Sequence, residues 1–118
     1  MRTYCFRSCI SISHSNDKDR QKAHIHTVEV GIFVKADGII LDLQQCVYTE
    51  NVFLKCLEPY QEKYLNDIEG FEDDVSIEYL GERLFYQVSG KINDGNVYVE
   101  RLEIAETPLR TYILTRTE

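Results

Sequence analysis

The sequence lacks the features that would indicate a membrane protein, a secreted protein or a nucleic-acid-binding protein. It has no apolar run long enough to cross a bilayer, and residues 1–8 lack the apolar core of a signal peptide. None of its four cysteines forms a C-x-x-C pair, and no cluster of Lys and Arg offsets the net charge of -7. We therefore expect a cytoplasmic protein with unpaired thiols, and neither a nucleic acid nor a membrane as its partner.

The length and composition predict a single globular domain. The chain has 118 residues, of which 43% are hydrophobic and 28% are charged. These proportions are ordinary for a globular protein, and a chain of this length forms one small core. We expect one domain over residues 1–118.

Periodicity in the sequence predicts four strands and two helices. Residues 2–14, 23–35, 97–106 and 110–116 show strand patterns, and residues 43–57 and 75–88 show helical ones. Asp42 is the expected N-cap of the first helix, and Asp73 or Asp74 that of the second, which is expected to stop at Ser89-Gly90. The order ββααββ predicts an α+β fold: an antiparallel four-stranded sheet with both helices on one face.

Two apolar surfaces are predicted from these elements. The first helix is expected to present one apolar face, formed by Leu43, Cys46, Val47, Leu54 and Leu57. The third strand carries apolar residues on both faces, with Tyr98, Leu102 and Ile104 on one and Val97 and Val99 on the other. Two helices cannot cover both faces, so we expect a homo-oligomer that closes the sheet edges. The alternative is a monomer with a solvated second face.

The three histidines of the chain form the main candidate site. His24 and His26 lie two residues apart on the second strand, so they point to the same face. His14 ends the first strand, and antiparallel pairing of the two strands would bring it beside them. Three imidazoles with an open fourth position is the arrangement of a catalytic zinc site. The alternative is an accidental His-x-His at a polar strand end.

The order of several short motifs resembles the family of 6-pyruvoyl-tetrahydropterin and 6-carboxytetrahydropterin synthases. The histidine pattern is His14, His24, His26 and Val30, and the segment before the first helix is Gly38-Ile-Ile-Leu-Asp42-Leu43. Three further segments match in order along nearly the whole chain: Leu65-Asn66-Asp67-Ile68, Ser76-Ile77-Glu78 and Glu106-Thr107.

The resemblance implies a tunnelling T-fold whose subunits form a barrel, usually a homohexamer. It implies that His14, His24 and His26 hold Zn²⁺, and that Glu106, followed by Thr107, binds a pterin. A carboxylate at Glu106 can accept two parallel N–H bonds from the 2-amino and N3 edge of the pterin, as it would from a guanidinium.

The proton-transfer residues depart from the family pattern. The family's cysteine is missing from the loop at residues 15–23, where the nearest candidates are Asp17 and Asp19. The family's Asp-His pair falls on Gln61-Glu62. The candidate catalytic residues are therefore Glu62 and Asp19.

The resemblance implies a zinc-dependent lyase acting on dihydroneopterin triphosphate or a related pterin, toward a queuosine or biopterin precursor. The alternative is a T-fold protein that binds zinc or a pterin without turnover. A third interpretation is a structural zinc protein without a ligand.

Overall fold

The computed structural model describes residues 1–17 and 19–117, which form a sheet covered on one face by two helices. Three single-turn 3₁₀ helices connect the main elements. The strands are β1 (Arg2–His14), β2 (His24–Ala36), β3 (Lys63–Tyr64), β4 (Asn93–Asp94), β5 (Val97–Thr107) and β6 (Arg110–Thr115), and the helices are α1 (Leu43–Leu57) and α2 (Ile77–Lys91). The predicted α+β architecture is confirmed.

A long hairpin of β1 and β2 forms the centre of the sheet. The two strands pair antiparallel along their whole length, from Arg2 opposite Ala36 to His14 opposite His24. β5 pairs antiparallel with β2, and β4 and β6 both pair with β5. On the other side, the one strand that β1 meets among the described residues is β3, a short parallel partner at Ile12 and Ser13.

A bulge in β5 corrects the prediction that this strand is apolar on both faces. The pairing of β2 with β5 shifts register between Phe33 and Val34, which leaves Glu100 as an extra residue. A bulge reverses the alternation of side chains beyond it. Val99, Leu102 and Ile104 therefore share one buried face, with at most 1% exposure each. The apolar residues of β5 are largely covered by the helices of the same chain.

Helix α1 begins and ends where the sequence predicts, but the predicted apolar face is wrong. Asp42 forms a capping box with Gln45. The buried residues of the helix are Thr49, Phe53 and Leu57. Leu57 is the one member of the predicted face that is buried, whereas Leu43, Val47 and Leu54 are 80%, 44% and 49% exposed. The helix carries apolar residues on two sides, and only one side can face the sheet.

Helix α2 starts later and ends later than predicted. Ser76 is the N-cap, since its side chain accepts from the backbone N–H of Tyr79, while Asp74 accepts from the N–H of Ser76. The helix continues through Ser89-Gly90 to Lys91. Gly90 lies in the last turn of the helix, and nothing lies within 4 Å of the position that a Cβ would take there. The two predicted caps and the predicted stop are therefore wrong by one to three residues.

The core lies between the helices and the face of the β1–β2 hairpin that carries the even-numbered residues. It includes Ile10, Ile12, Val28, Val30 and Ile32 from the sheet and Leu80, Leu84 and Val88 from α2. On the opposite face, Arg7 and Arg101 stack over the ring of Phe33. Within the described residues, no helix is long and apolar enough to cross a membrane.

Candidate functional site

The three histidines converge at one end of the β1–β2 hairpin, as the strand pattern predicts. His14 is paired with His24 across the two strands, and His26 pairs with Ile12. The ring centroids are separated by 4.9 Å for His14 and His26, 6.1 Å for His24 and His26, and 6.5 Å for His14 and His24. All three side chains lie on the helix-covered side of the sheet.

The ring of His14 is held by the segment that precedes α2. Its Nδ1 lies 2.7 Å from the carbonyl oxygen of Val75, which directly precedes the N-cap Ser76. A carbonyl can only accept, so Nδ1 carries the proton and donates. His14 is 8% exposed and its Nε2 is the ring nitrogen left for another partner.

Glu106 faces the histidine cluster from the end of β5. One carboxylate oxygen lies 3.6 Å from Nδ1 of His26, and the other lies 3.9 Å from the guanidinium of Arg110. One ligand atom each from His14, His26 and Glu106 lie within 4.8 Å of one another. The sequence points to Glu106 by resemblance, but its contact with His26 was not predicted, because it depends on the pairing of β5 with β2.

A groove beside Glu106 is large enough for a small ring system. It has a volume of about 430 Å³ and is lined by Ile77, Glu78, Ile104, Glu106, Leu109, Arg110, Thr111 and Tyr112. Small-molecule sites commonly start at about 300 Å³. A groove of about 460 Å³ between α1 and β1 is slightly larger. Neither groove is lined by a histidine, but the groove beside Glu106 contains the carboxylate that faces His26, so we favour it as the ligand site.

Thr107 closes the turn between β5 and β6. Its hydroxyl oxygen accepts from the backbone N–H of Leu109 at 3.2 Å. This contact gives the residue a local structural role. A contact between Thr107 and a ligand remains a prediction.

Asp17 and Asp19 both shape the loop in which they lie. The carboxylate of Asp17 accepts from the N–H of Asp19 and pairs with Lys22 at 3.2 Å, and that of Asp19 accepts from the N–H of Gln21. The hydrogen bond from the Asp19 N–H, followed by that from Lys22, lowers the pKa of Asp17. A carboxylate with a lowered pKa is a poor proton acceptor near neutral pH.

The loop after β1 is fastened to residues 64–67, a feature that the sequence does not reveal. The side chain of Asn66 accepts from the N–H of Ser15 and donates to its carbonyl. The hydroxyls of Ser15 and Tyr64 are 2.6 Å apart, and Arg20 stacks on Tyr64 while pairing with Asp67. These contacts fix the chain directly after His14.

Glu62 lies on the outer edge of β1, with an exposed side chain. Its backbone has a φ of 58°, in the left-handed region, and its N–H donates to the carbonyl of Ser11 at 2.6 Å. Gln61 accepts from the N–H of Ser11. Neither Glu62 nor Asp19 belongs to the His14, His26 and Glu106 group found among the described residues. Their catalytic roles remain predictions.

The sequence profile of the family described as 6-pyruvoyl tetrahydropterin synthase matches residues 2–117. The chain belongs to this family. The family assignment agrees with the ordered set of motifs, and the T-fold is confirmed by solved structures. A comparison of the sequence with curated proteins finds no match.

Several solved 6-pyruvoyl tetrahydropterin synthases share this fold at low sequence identity. The Caenorhabditis elegans protein has a TM-score of 0.77 and 15% identity, covering 98% of this chain and 96% of that one. The Plasmodium falciparum protein has a TM-score of 0.61 and 14% identity, with 98% and 97% coverage. A Plasmodium vivax variant, described as carrying Ala in place of a catalytic Glu, has a TM-score of 0.65 and 12% identity, with 99% and 98% coverage.

The donor atoms at the hairpin end suit the zinc ion that the resemblance implies. Zinc accepts imidazole nitrogens, and a ligating histidine usually donates its other N–H to an oxygen of the protein. His14 already does so through Val75. Nδ1 of His26 faces the carboxylate of Glu106. The imidazoles of His14 and His26 therefore fit the ion, whereas the exposed His24 lies outside the group formed by His14, His26 and Glu106 and would have to turn toward it.

Proposed function

We propose that this protein is a zinc-dependent pterin-processing lyase of the 6-pyruvoyl tetrahydropterin synthase family, acting on dihydroneopterin triphosphate or a related pterin. The observation that carries the proposal is the convergence of three imidazoles beside a carboxylate-lined groove. His14, His24 and His26 would hold the zinc. The bound ion would polarise a substrate oxygen and so acidify the neighbouring C–H.

The residues of the groove would bind and orient the pterin. Glu106 would accept N–H bonds from the pterin edge, and the apolar side chains of Ile77 and Ile104 line the groove beside it. Val75 would keep the His14 ring in one orientation. These roles cover zinc binding and pterin binding, so proton transfer is the step that needs a further acid-base group.

A second candidate function is binding without turnover. It is favoured by the contacts and the exposure of the three candidate acid-base carboxylates. Asp17 and Asp19 are engaged by backbone amides, and the side chain of Glu62 is exposed on the edge of β1. Positioned acid-base groups contribute about 10²–10⁴-fold each. We therefore expect turnover of dihydroneopterin triphosphate to be weak.

Self-association is proposed as part of this function, as a homohexamer on the family pattern. Residues 2–10 of β1 have no strand partner on their outer side within the described chain, and β6 pairs only with β5. Unpaired edges of this length favour strand pairing with another copy. Three apolar residues of α1 are exposed, and one of them, Leu54, lines a groove together with Ser8 and Cys9 of β1; the other two are Leu43 and Val47. A cytoplasmic location also remains a prediction, and it agrees with the four free cysteines.

A product assay on zinc-loaded protein tests the proposal and separates the two candidates. The assay compares the unmodified protein with Glu62→Ala, with the double variant Asp17→Ala and Asp19→Ala, and with Glu69→Ala as an exposed control. Turnover that one variant abolishes would identify the base and establish the lyase. Pterin binding without product would establish the binding protein, and the absence of both would refute the proposal.

A further inference from the structure

We infer that Glu106 is a positioning residue of the metal site, acting through the ring of His26. Its carboxylate oxygen faces Nδ1 of His26 at 3.6 Å, and the two side chains are 26% and 27% exposed. This inference rests on the proposed zinc site and assigns it a residue beyond the three histidines. In this role Glu106 accepts the Nδ1–H and directs Nε2 of His26 toward the ion.

The ring of His14 already shows this arrangement, in which Nδ1 faces an oxygen of the protein and Nε2 is left for the ion. The Nδ1 of His14 donates to the Val75 carbonyl at 2.7 Å, so that ring has a fixed tautomer and a free Nε2. His26 has a carboxylate where His14 has a carbonyl. The pair is about 0.6 Å beyond ordinary hydrogen-bond distance, so the inference requires the carboxylate and the ring to draw together by that amount.

Arg110 helps to set the orientation of the carboxylate. Its guanidinium lies 3.9 Å from the oxygen of Glu106 that does not face His26. Arg110 is 78% exposed, so the pair is weak and easily displaced. The outer oxygen is therefore available to one pterin N–H, and the inner oxygen has two lone pairs, so it can accept from both His26 and a second pterin N–H. One residue can support both the metal site and the predicted pterin contact.

The contact with Nδ1 of His26 is the observation that favours a positioning role over direct coordination. The ligand atoms of His14, His26 and Glu106 lie within 4.8 Å of one another, a spacing that is compatible with either role. The oxygen of Glu106 approaches Nδ1 of His26, which leaves Nε2 as the coordinating nitrogen. This geometry is that of a carboxylate behind a ligating histidine.

The experiment measures the zinc dissociation constant by competition with a chromophoric chelator, and records the visible spectrum of the cobalt-loaded protein. The variants are Glu106→Ala, the isosteric Glu106→Gln, and His26→Ala as the benchmark for a lost ligand. Glu103→Gln is the matched control: it lies on the same strand, on the opposite face, paired with Arg101. Pterin binding by the unmodified protein is followed separately by fluorescence.

We expect Glu106→Ala to weaken zinc binding about 10–100-fold and to alter the cobalt spectrum. Glu106→Gln should recover part of that loss, because its amide oxygen can still accept from Nδ1. Glu103→Gln should match the unmodified protein. If Glu106→Ala fails to fold, the test rests on Glu106→Gln, for which we expect zinc binding to weaken by about threefold to tenfold.

Zinc affinity that is unchanged in both Glu106 variants would overturn this inference while leaving the proposed function intact. A loss as large as that of His26→Ala would make Glu106 a ligand and would also overturn the positioning role. Failure of the unmodified protein to bind zinc would overturn both the inference and the proposed zinc site.

Discussion

Replacement of Gly81 by Ala tests how closely α2 approaches the sheet. A Cβ at this position would lie 2.9 Å from Cγ2 of Ile104 and 3.3 Å from Cδ1 of Leu114. Ile104 is fully buried and β-branched, so its methyl group cannot easily move away. The approach matters for function because the start of α2 lines the groove and follows the carbonyl that holds His14.

Two opposing effects determine the magnitude of this change. Gly→Ala inside a helix stabilises by about 1 kcal/mol through propensity, whereas overpacking a core costs about 1–3 kcal/mol. Gly90 lies in the same helix, and a Cβ added there would have nothing within 4 Å. Gly90→Ala should therefore gain helix propensity without overpacking. The two variants should therefore differ by about 1–3 kcal/mol in the free energy of unfolding, with Gly81→Ala the less stable.

Thermal unfolding at one fixed protein concentration measures the difference, since the proposed self-association would make the midpoint concentration-dependent. For a domain of this size, 1 kcal/mol corresponds to a shift of about 4 °C. Gly81→Ala should melt about 4–12 °C below Gly90→Ala. Equal melting temperatures for the two alanine variants would refute the close approach.

Three further predictions concern the loop, the assembly and the pterin. Asn66→Ala removes both hydrogen bonds to the backbone of Ser15 and should cost about 1–3 kcal/mol of unfolding free energy, measured by urea titration; no change would mean that the loop is held by other contacts. Light scattering at micromolar concentration should give a mass larger than a dimer, and a monomer mass would contradict the proposed edge pairing. Glu106→Gln should weaken pterin binding by roughly 2–4 kcal/mol in a fluorescence titration, and unchanged affinity would place the ligand elsewhere.

The strand pattern was sufficient to predict the histidine cluster. Strict alternation fixes which side chains share a face, and the end of β1 must lie beside the start of β2 in a hairpin with a short loop. The register of His14 opposite His24 confirms this reasoning. The order of elements likewise predicted the α+β architecture, because each long element carries one clear period.

Features that depend on contacts between distant segments could not be read from the sequence. The bulge at Glu100 brings Val99 onto the buried face with Leu102 and Ile104, and nothing in the local pattern of β5 reveals it. The prediction of the apolar face of α1 was wrong because the helix has apolar residues on two sides. The contacts of Asn66 with Ser15 join positions 51 residues apart, and only the assembled fold brings them together.

Metal analysis of the purified protein tests the central claim most directly. After zinc is supplied at neutral pH and excess is removed, the unmodified protein should retain one zinc ion per chain. The double variant His24→Ala and His26→Ala should retain none, while Glu103→Gln should retain the full amount. An unmodified protein that stays empty under these conditions would contradict the claim that the three histidines form a metal centre.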